Sequence, residues 1–386
     1  MPKPYAGVEA VEARRYLARL ERLRRELLDE KRCMLVVADE SSVFYLTGYR
    51  GAGVLALGRE RALLLVPVLE YLSALDQLGA EGLLGDVEVV AYAPYGLPGG
   101  LVAGEAVEVV EKHPLEAASS LLGCRSCGLA ASAHSVWEAA RGKCEDVEDV
   151  SKHISEMRMV KEPWEIERMR AAAEIAEAAL EKAIEALHEG VSESEIAGLL
   201  YYEMRRLGAE DYSFPPIVAF GVNSVYPHAQ PSHRRRLKSH TPVLIDLGAK
   251  YMGYSSDMTR TLFYGSSSPP EFRHVAEGVL DAVNAALDVV RDGVEASEVD
   301  AAARRVLEKY GLSKYFIHSL GHGIGIDVHE PPRVTFNSKT VLREGMVITI
   351  EPGVYIPGRY GIRIEEMVLV SRRRGIRLTS FEQKLW

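Results

Sequence analysis

Four carboxylates set in apolar surroundings give the first chemical signal in this chain. Asp246 lies in Val243-Leu-Ile-Asp-Leu-Gly248, and Asp257 opens Asp257-Met-Thr-Arg-Thr261. The midpoint between them falls in the turn around residues 250–253, so a hairpin would set them nearly opposite each other, within one residue of register. Glu351 ends the apolar run Met346-Val-Ile-Thr-Ile-Glu351, and Glu365 closes Ile362-Arg-Ile-Glu365. Their midpoint is Gly358, inside the turn Pro357-Gly-Arg-Tyr-Gly361. Ionised carboxylates buried in strands are strongly unfavourable unless paired or bound to metal. Arg260 and Arg363 are available for simple ion pairs. Arg363 shares a strand face with Glu365, so a salt bridge inside the site is compatible with a metal there.

Histidines add to the carboxylates. His318, His322 and His329 fall within twelve residues among three glycines, and His228 follows Asn223-Ser-Val-Tyr-Pro. Glycine lets a backbone or a ligand approach closely. His322 and His329 are seven apart, an odd spacing that puts them on opposite faces of a straight strand. Both serve one site only where the glycines bend the chain. A donor set of carboxylates with one imidazole suits Mn, Co, Fe or Zn. Four carboxylates neutralise two dications, which at a separation of about 3.5–4 Å generate hydroxide and polarise a carbonyl. The chemistry indicated is metal-assisted hydrolysis.

The elements that position these groups repeat. Met169, Ala172, Ala176, Leu180, Ala183 and Leu187 mark one apolar helix face, with Gly190 as its stop. Ser192-x-x-Glu195 is a capping box opening a second helix that ends at Gly208. Phe272, Val275, Val279, Val283, Ala286 and Val290 mark another long helix ending at Gly293, and a shorter helix ends at Gly311. The glycines 190 and 208 recur as 293 and 311, both shifted by 103 residues, and Gly190-Val-x-x-Ser-Glu-Ile recurs as Gly293-Val-x-x-Ser-Glu-Val. Residues 158–386 therefore read as two similar halves, each helix–helix–strands, with the site at their seam. Residues 1–157 read as a separate α/β domain: a helix over Ala10–Leu28, strands at Cys33–Ala38, Val54–Leu57, Ala62–Val66 and Val87–Tyr92, and a Gly/Pro-rich surface loop at Pro94–Gly100.

Composition excludes several classes. The chain has 386 residues, 47% hydrophobic and 26% charged, which is globular and long enough for two domains. A net charge of −9 argues against nucleic acid as the main partner. No apolar run reaches the ~18 residues of a membrane span, and the N-terminus lacks the apolar core of a signal peptide, so the expected location is the cytoplasm without membrane attachment. Of four cysteines, Cys124 and Cys127 form a lone CxxC, read as structural or as a local disulfide. With three Asn and three Gln, the chain is poor in thermolabile amides, a thermophile habit.

The strings Val243 to Thr261, Gly321-His-Gly-Ile-Gly-Ile-Asp-Val-His-Glu330, Glu344 to Tyr355 and Gly361-Ile-Arg-Ile-Glu365 resemble the pita-bread metallopeptidases: prolidase, aminopeptidase P and methionine aminopeptidase, with creatinase as a non-metal relative. Arg19 to Gly51, with Tyr45-Leu-Thr-Gly48, looks like the N-terminal domain of prolidases and aminopeptidases P, which methionine aminopeptidases lack. Val43 and Glu366 depart from the usual Asn and Asp. The fold implied is an α/β N-terminal creatinase/prolidase-like domain, 1–157, and an α+β pita-bread catalytic domain, 158–386, with pseudo-two-fold internal duplication.

The resemblance also implies roles. Two divalent ions (Mn, Co, Zn or Fe) would be held by Asp246, Asp257, His322, Glu351 and Glu365, with Asp257 and Glu365 bridging. Glu351 would also move the proton of the attacking water. His228 and His329 would line the substrate pocket and assist proton transfer or bind the tetrahedral intermediate, and Arg333 would face a carboxylate or carbonyl on the product side. Arg363 would partner a ligand. Arg234-Arg-Arg236 is left as a solvated loop. The activity implied is hydrolysis of Xaa–Pro bonds in a proline-containing di- or oligopeptide by a homodimer. The enzyme would be a dipeptidase (prolidase), with aminopeptidase P as the alternative and a catalytically idle binding protein of the same fold as the third.

Overall fold

The computed structural model describes residues 9–93, 101–102, 105–106 and 109–384. The stretch 94–100, read above as a surface loop, and the extreme N-terminus lie outside the described residues. The chain forms two compact units, Met1–Ser155 and Glu156–Trp386. The division comes two residues before the expected boundary.

The first unit is built on a mixed seven-stranded sheet. Its order is Val109–Val110, Glu88–Tyr92, Ala62–Pro67, Val54–Leu57, Met34–Val37, Ser126–Ala130 and Asp146–Asp149. The apolar runs read as strands are strands, because Met34, Val36, Leu63, Leu65 and Leu129 are fully buried in one cluster. Each such burial is worth about 1.5–3 kcal/mol. The Tyr45-Leu-Thr-Gly48 string has a local cause. Helix Glu40–Thr47 is capped at its start by Asp39, whose side chain accepts from Ser42 N at 2.9 Å, and at its end by Gly48 at φ +72. That left-handed C-cap favours glycine. The local disulfide read as one alternative for the CxxC does not form. Cys124 pairs with Cys33 rather than Cys127, in a disulfide with Cα atoms 6.0 Å apart. Cys127 is buried beside Cys144 instead.

The second unit repeats one plan. Helices Pro163–Glu185 and Glu193–Arg206 cover the sheet Ile217–Phe220, Thr241–Leu247, Met258–Tyr264. Helices Pro270–Val289 and Ala296–Lys309 cover the five-stranded sheet Glu330–Val334, Gly321–Gly323, Val347–Ile350, Glu366–Val370, Gly375–Arg377. The shorter helices, 193–206 and 296–309, are offset by 103 residues at both ends. The capping box at Ser192 is formed, with Glu195 N donating to the serine hydroxyl at 3.2 Å and Glu195 accepting from Ser192 N at 2.8 Å. The first helix ends at Glu185, not at Gly190, which turns the chain at φ +91 four residues beyond the Ala186 cap.

The two hairpins behave differently. Asp246 pairs with Thr259, so Asp257 lies two residues from the expected register. The reason is the turn, which is the pair Met252 (φ +45) and Gly253 (φ +81), with Tyr251 facing Tyr254. Two consecutive positive φ angles give the tight hairpin geometry that fixes register, and its centre sits past the carboxylates' midpoint. In the second half Ile350 pairs with Glu366 and Gly353 with Arg363. Glu351 and Glu365 therefore oppose each other where the chain passes from the five-stranded sheet into the two-stranded ribbon Gly353–Ile356/Tyr360–Arg363.

Peptide mapping of the non-reduced protein should recover a Cys33–Cys124 cross-link and no Cys124–Cys127 link. Replacing Cys33 with Ala should lower stability by up to about 4 kcal/mol, given the 91-residue separation that the bond closes. An unchanged unfolding midpoint would show that the bond does not constrain the unfolded chain.

Candidate metal centre

The seam between the halves is held by threonines. Thr261 Oγ1 donates to Arg363 O at 2.9 Å and accepts from Arg363 N at 3.1 Å. Glu365 N donates to Thr259 O at 3.1 Å. These bonds bring the strand after Asp257 against the strand before Glu365. Thr259 Oγ1 also donates to Glu365 Oε2 at 2.7 Å and accepts from Arg363 Nε at 3.0 Å.

His322 enters this cluster from the neighbouring strand. A Cβ at Gly321 would stand 2.1 Å from Thr349 O, and one at Gly323 would stand 2.1 Å from Pro331 O. Only glycine permits that approach on either side of His322. The ring donates through Nδ1 to Gly323 O at 3.0 Å, which leaves the Nε2 lone pair facing Asp257 Oδ2 at 3.6 Å and Glu351 Oε1 at 3.4 Å. Ligand atoms of Asp257, His322 and Glu365 all lie within 4.8 Å of one another.

Asp246 is fixed by Arg363, whose Nη2 donates to Oδ2 at 2.5 Å. Asp246 Oδ1 is buried and has no hydrogen-bond partner among the described residues. Of the two ion pairs open to the sequence, one forms here. Arg260 does not pair with a cluster carboxylate; it pairs with Glu366 at 2.8 Å.

The electrostatics of the cluster reject its own charges. Burial pushes the Asp257 carboxyl well above the usual range, reinforced by Glu365, Asp246 and Glu351 and opposed by Arg363. Burial and then Glu365 do the same to Glu351. Glu365 is raised to about 8 by burial and Asp246, against the pull of Arg363 and Thr259. Burial also lowers His322 to about 4, so the imidazole is neutral. Carboxylates that resist ionisation, a neutral imidazole with its lone pair directed inward and an orphaned carboxylate oxygen all fit divalent cations.

The remaining candidates surround this cluster. The His322 and His329 rings meet edge-on with centroids 4.4 Å apart, so the chain does bend between them, and the register shift lies at His322/Gly323. The loop before His329 is pinned by buried Glu330, which accepts from Lys161 Nζ at 3.2 Å, Arg158 at 2.5 Å and Asp327 N at 3.1 Å. Burial favours the neutral acid at Glu330, but Lys161 and Arg158 outweigh it and hold the carboxyl below its ordinary range. His228 is exposed, close enough for its charge to act on His329. Arg333 is exposed and sits directly across from His322 on the adjacent strand. His318 does not join the carboxylates. It donates through Nδ1 to Ser319 O at 2.7 Å and accepts at Nε2 from the Tyr355 hydroxyl at 3.0 Å. Arg234, Arg235 and Arg236 are exposed, and Arg236 reaches Glu195.

Tyr355 is the residue that sequence reasoning missed. Its hydroxyl accepts from Arg363 Nη1 at 2.6 Å, linking His318 through Arg363 to Asp246. It lies four residues beyond Glu351, in the first part of the same ribbon as Arg363, and that spacing was the available signal.

The chain matches the family described as Metallopeptidase family M24 over residues 167–372, and the Creatinase/Prolidase N-terminal domain over residues 19–160. It is 36% identical to the Xaa-Pro dipeptidase of Pyrococcus horikoshii over 356 residues, covering 91% of this chain and 93% of that one. The crystal structure of the prolidase from Pyrococcus horikoshii OT3 superposes with a TM-score of 0.82 at 34% identity, over 97% of this chain and all of the other. The Xaa-Pro dipeptidase from Bacillus anthracis gives 0.84 at 29% identity, over 96% and 99%.

Because Glu365 holds its proton up to about pH 8 when no cation is present, metal must displace that proton. Calorimetry at pH 7 in buffers of different ionisation enthalpy should report release of about one proton or more per chain on adding Mn²⁺. Affinity should rise as pH climbs toward 8 and fall below it. Binding without proton release would mean that the carboxylates are already ionised.

Proposed function

Because the chain belongs to metallopeptidase family M24, with the two-domain pita-bread architecture of its solved relatives, we propose that it is an Xaa-Pro dipeptidase. The observation carrying the dipeptide reading is Arg333, exposed on the strand beside His322 and paired with it across the ladder. Cross-strand partners share a face, so a guanidinium stands one strand away from the candidate metal ligand. A planar guanidinium grips a free carboxylate with two hydrogen bonds, and a dipeptide presents that carboxylate one residue past the scissile bond.

In this reading Asp246, Asp257, His322, Glu351 and Glu365 would together hold the divalent cations. The donor set of carboxylates with one imidazole suits Mn, Co, Zn or Fe. Such cations, when bound, would supply hydroxide at neutral pH and polarise the scissile carbonyl. The chain's own groups do the rest. Glu351, ionised once cations are bound, would take the proton of the attacking water and pass it to the departing proline nitrogen. Arg363 holds Asp246 by Oδ2 and leaves Oδ1 for the cation. Tyr355 and Thr259 fix the Arg363 fork. His329, which burial keeps neutral at lower pH than a free imidazole, and His228 donate to the carbonyl oxygen as charge builds there.

Rates on Xaa-Pro and Xaa-Pro-Yaa peptides with Mn²⁺ or Co²⁺ test the reading, and Xaa-Pro should be strongly preferred. Arg333→Ala should raise KM for Xaa-Pro about tenfold or more, since a charge-assisted contact made in the ground state is lost. Equal losses on both peptides would move the assignment to an aminopeptidase for longer chains.

A further inference from the structure

Behind the carboxylates lies a second guanidinium. Arg260 is fully buried, and all five of its N–H donors are used. Nη1 donates to Thr259 O at 3.0 Å and Glu365 O at 2.7 Å. Nη2 donates to Glu366 Oε1 at 2.8 Å and Phe381 O at 2.8 Å, and Nε donates to Glu382 O at 3.0 Å. The acceptors therefore belong to two groups: the backbone and side chain beside Asp257 and Glu365 (Thr259, Glu365 and Glu366), and the C-terminal segment of the described chain.

That segment is latched at several further points. Gln383 Nε2 donates to Glu366 Oε1 at 2.7 Å, and the Thr379 hydroxyl donates to Glu366 Oε2. Met367 N donates to Thr379 Oγ1 at 3.2 Å. On its outer side, Glu177 of helix Pro163–Glu185 accepts from Ser380 N, from the Ser380 hydroxyl at 2.7 Å and from Phe381 N at 3.1 Å. Glu177 touches none of the five candidate ligands.

We propose that Arg260 is a positioning residue for the metal centre and that residues 379–383 are a working part of that centre. The segment supplies two carbonyls to Arg260 and two hydrogen bonds to its counterion. Arg260 in turn holds the carbonyl of Glu365 and the strand two residues after Asp257, so the two bridging candidates are set by the segment's docking. Lysine cannot replace the guanidinium, because three donors in a tetrahedral head cannot serve five acceptors in one plane. The inference rests on the metal-centre reading above.

The test uses metal-stripped full-length protein, with Mn²⁺ affinity by calorimetry, thermal unfolding, and kcat and KM at saturating Mn²⁺. Arg260→Lys should weaken Mn²⁺ binding by about tenfold or more, the scale for partners that orient ligands, and lower kcat with little change in KM. Glu177→Ala, which unlatches the segment from outside, should weaken Mn²⁺ binding several-fold in a folded protein. A role confined to stability would lower the unfolding temperature in both variants and leave Mn²⁺ affinity as in the wild type; that result overturns the proposal. If Arg260→Lys does not fold, Glu177→Ala decides alone. Failure of the wild-type protein to bind Mn²⁺ would instead overturn the metal-centre reading, and with it this proposal.

Discussion

A carboxylate removed from water must be given a counter-charge or a proton. The second unit is organised around that requirement. Asp246, Asp257, Glu351 and Glu365 meet at one seam, with the side chains of Asp257 and Glu365 almost wholly buried. Arg363 supplies one positive charge from inside the cluster, and Arg260 stands behind it, neutralised in turn by Glu366. The protein's own cations thus leave the cluster short of positive charge. Burial and mutual repulsion raise Asp257, Glu351 and Glu365 together, and the shortfall is what divalent cations make good.

The duplicated plan explains why the shortfall falls at one point. Each half delivers a hairpin with two carboxylates, and the hairpins meet through Thr259 and Thr261 against Arg363 and Glu365. Each half keeps its own apolar core under its own helix pair. The seam itself carries polar bonds, so the directional contacts of the unit concentrate where the chemistry needs fixed geometry. His322 completes the set from a strand flanked by glycines that allow it to lie close to both neighbours.

Much of this arrangement was legible in the sequence. The Glu351–Glu365 opposition follows from a turn whose centre, Gly358, is the midpoint of a regular register. The Asp246–Asp257 pairing was misplaced by two residues because Met252 adopts a positive φ, a conformation that methionine does not advertise. An even shift keeps both side chains on one face, so the two carboxylates still turn toward the same side. Residue types alone did not settle which arginine pairs with which acid. Alternation along a strand gives a face but not a depth, and Arg260 turns away toward Phe381 and Glu382, more than a hundred positions later. Tyr355 was equally hidden: an apolar-looking residue whose hydroxyl matters only once Arg363 and His318 are in place.

The Cys33–Cys124 bond spans most of the first unit's sheet-forming sequence, including the strands Met34–Val37, Val54–Leu57, Ala62–Pro67 and Glu88–Tyr92. A backbone break anywhere in that interval leaves no free fragment, because both ends stay tied to one covalent molecule. The sheet can then hold its strand order after nicking, since the pieces cannot diffuse apart and their effective concentration stays high. Such damage would be silent on a non-reducing gel and visible only once the sulfurs are reduced.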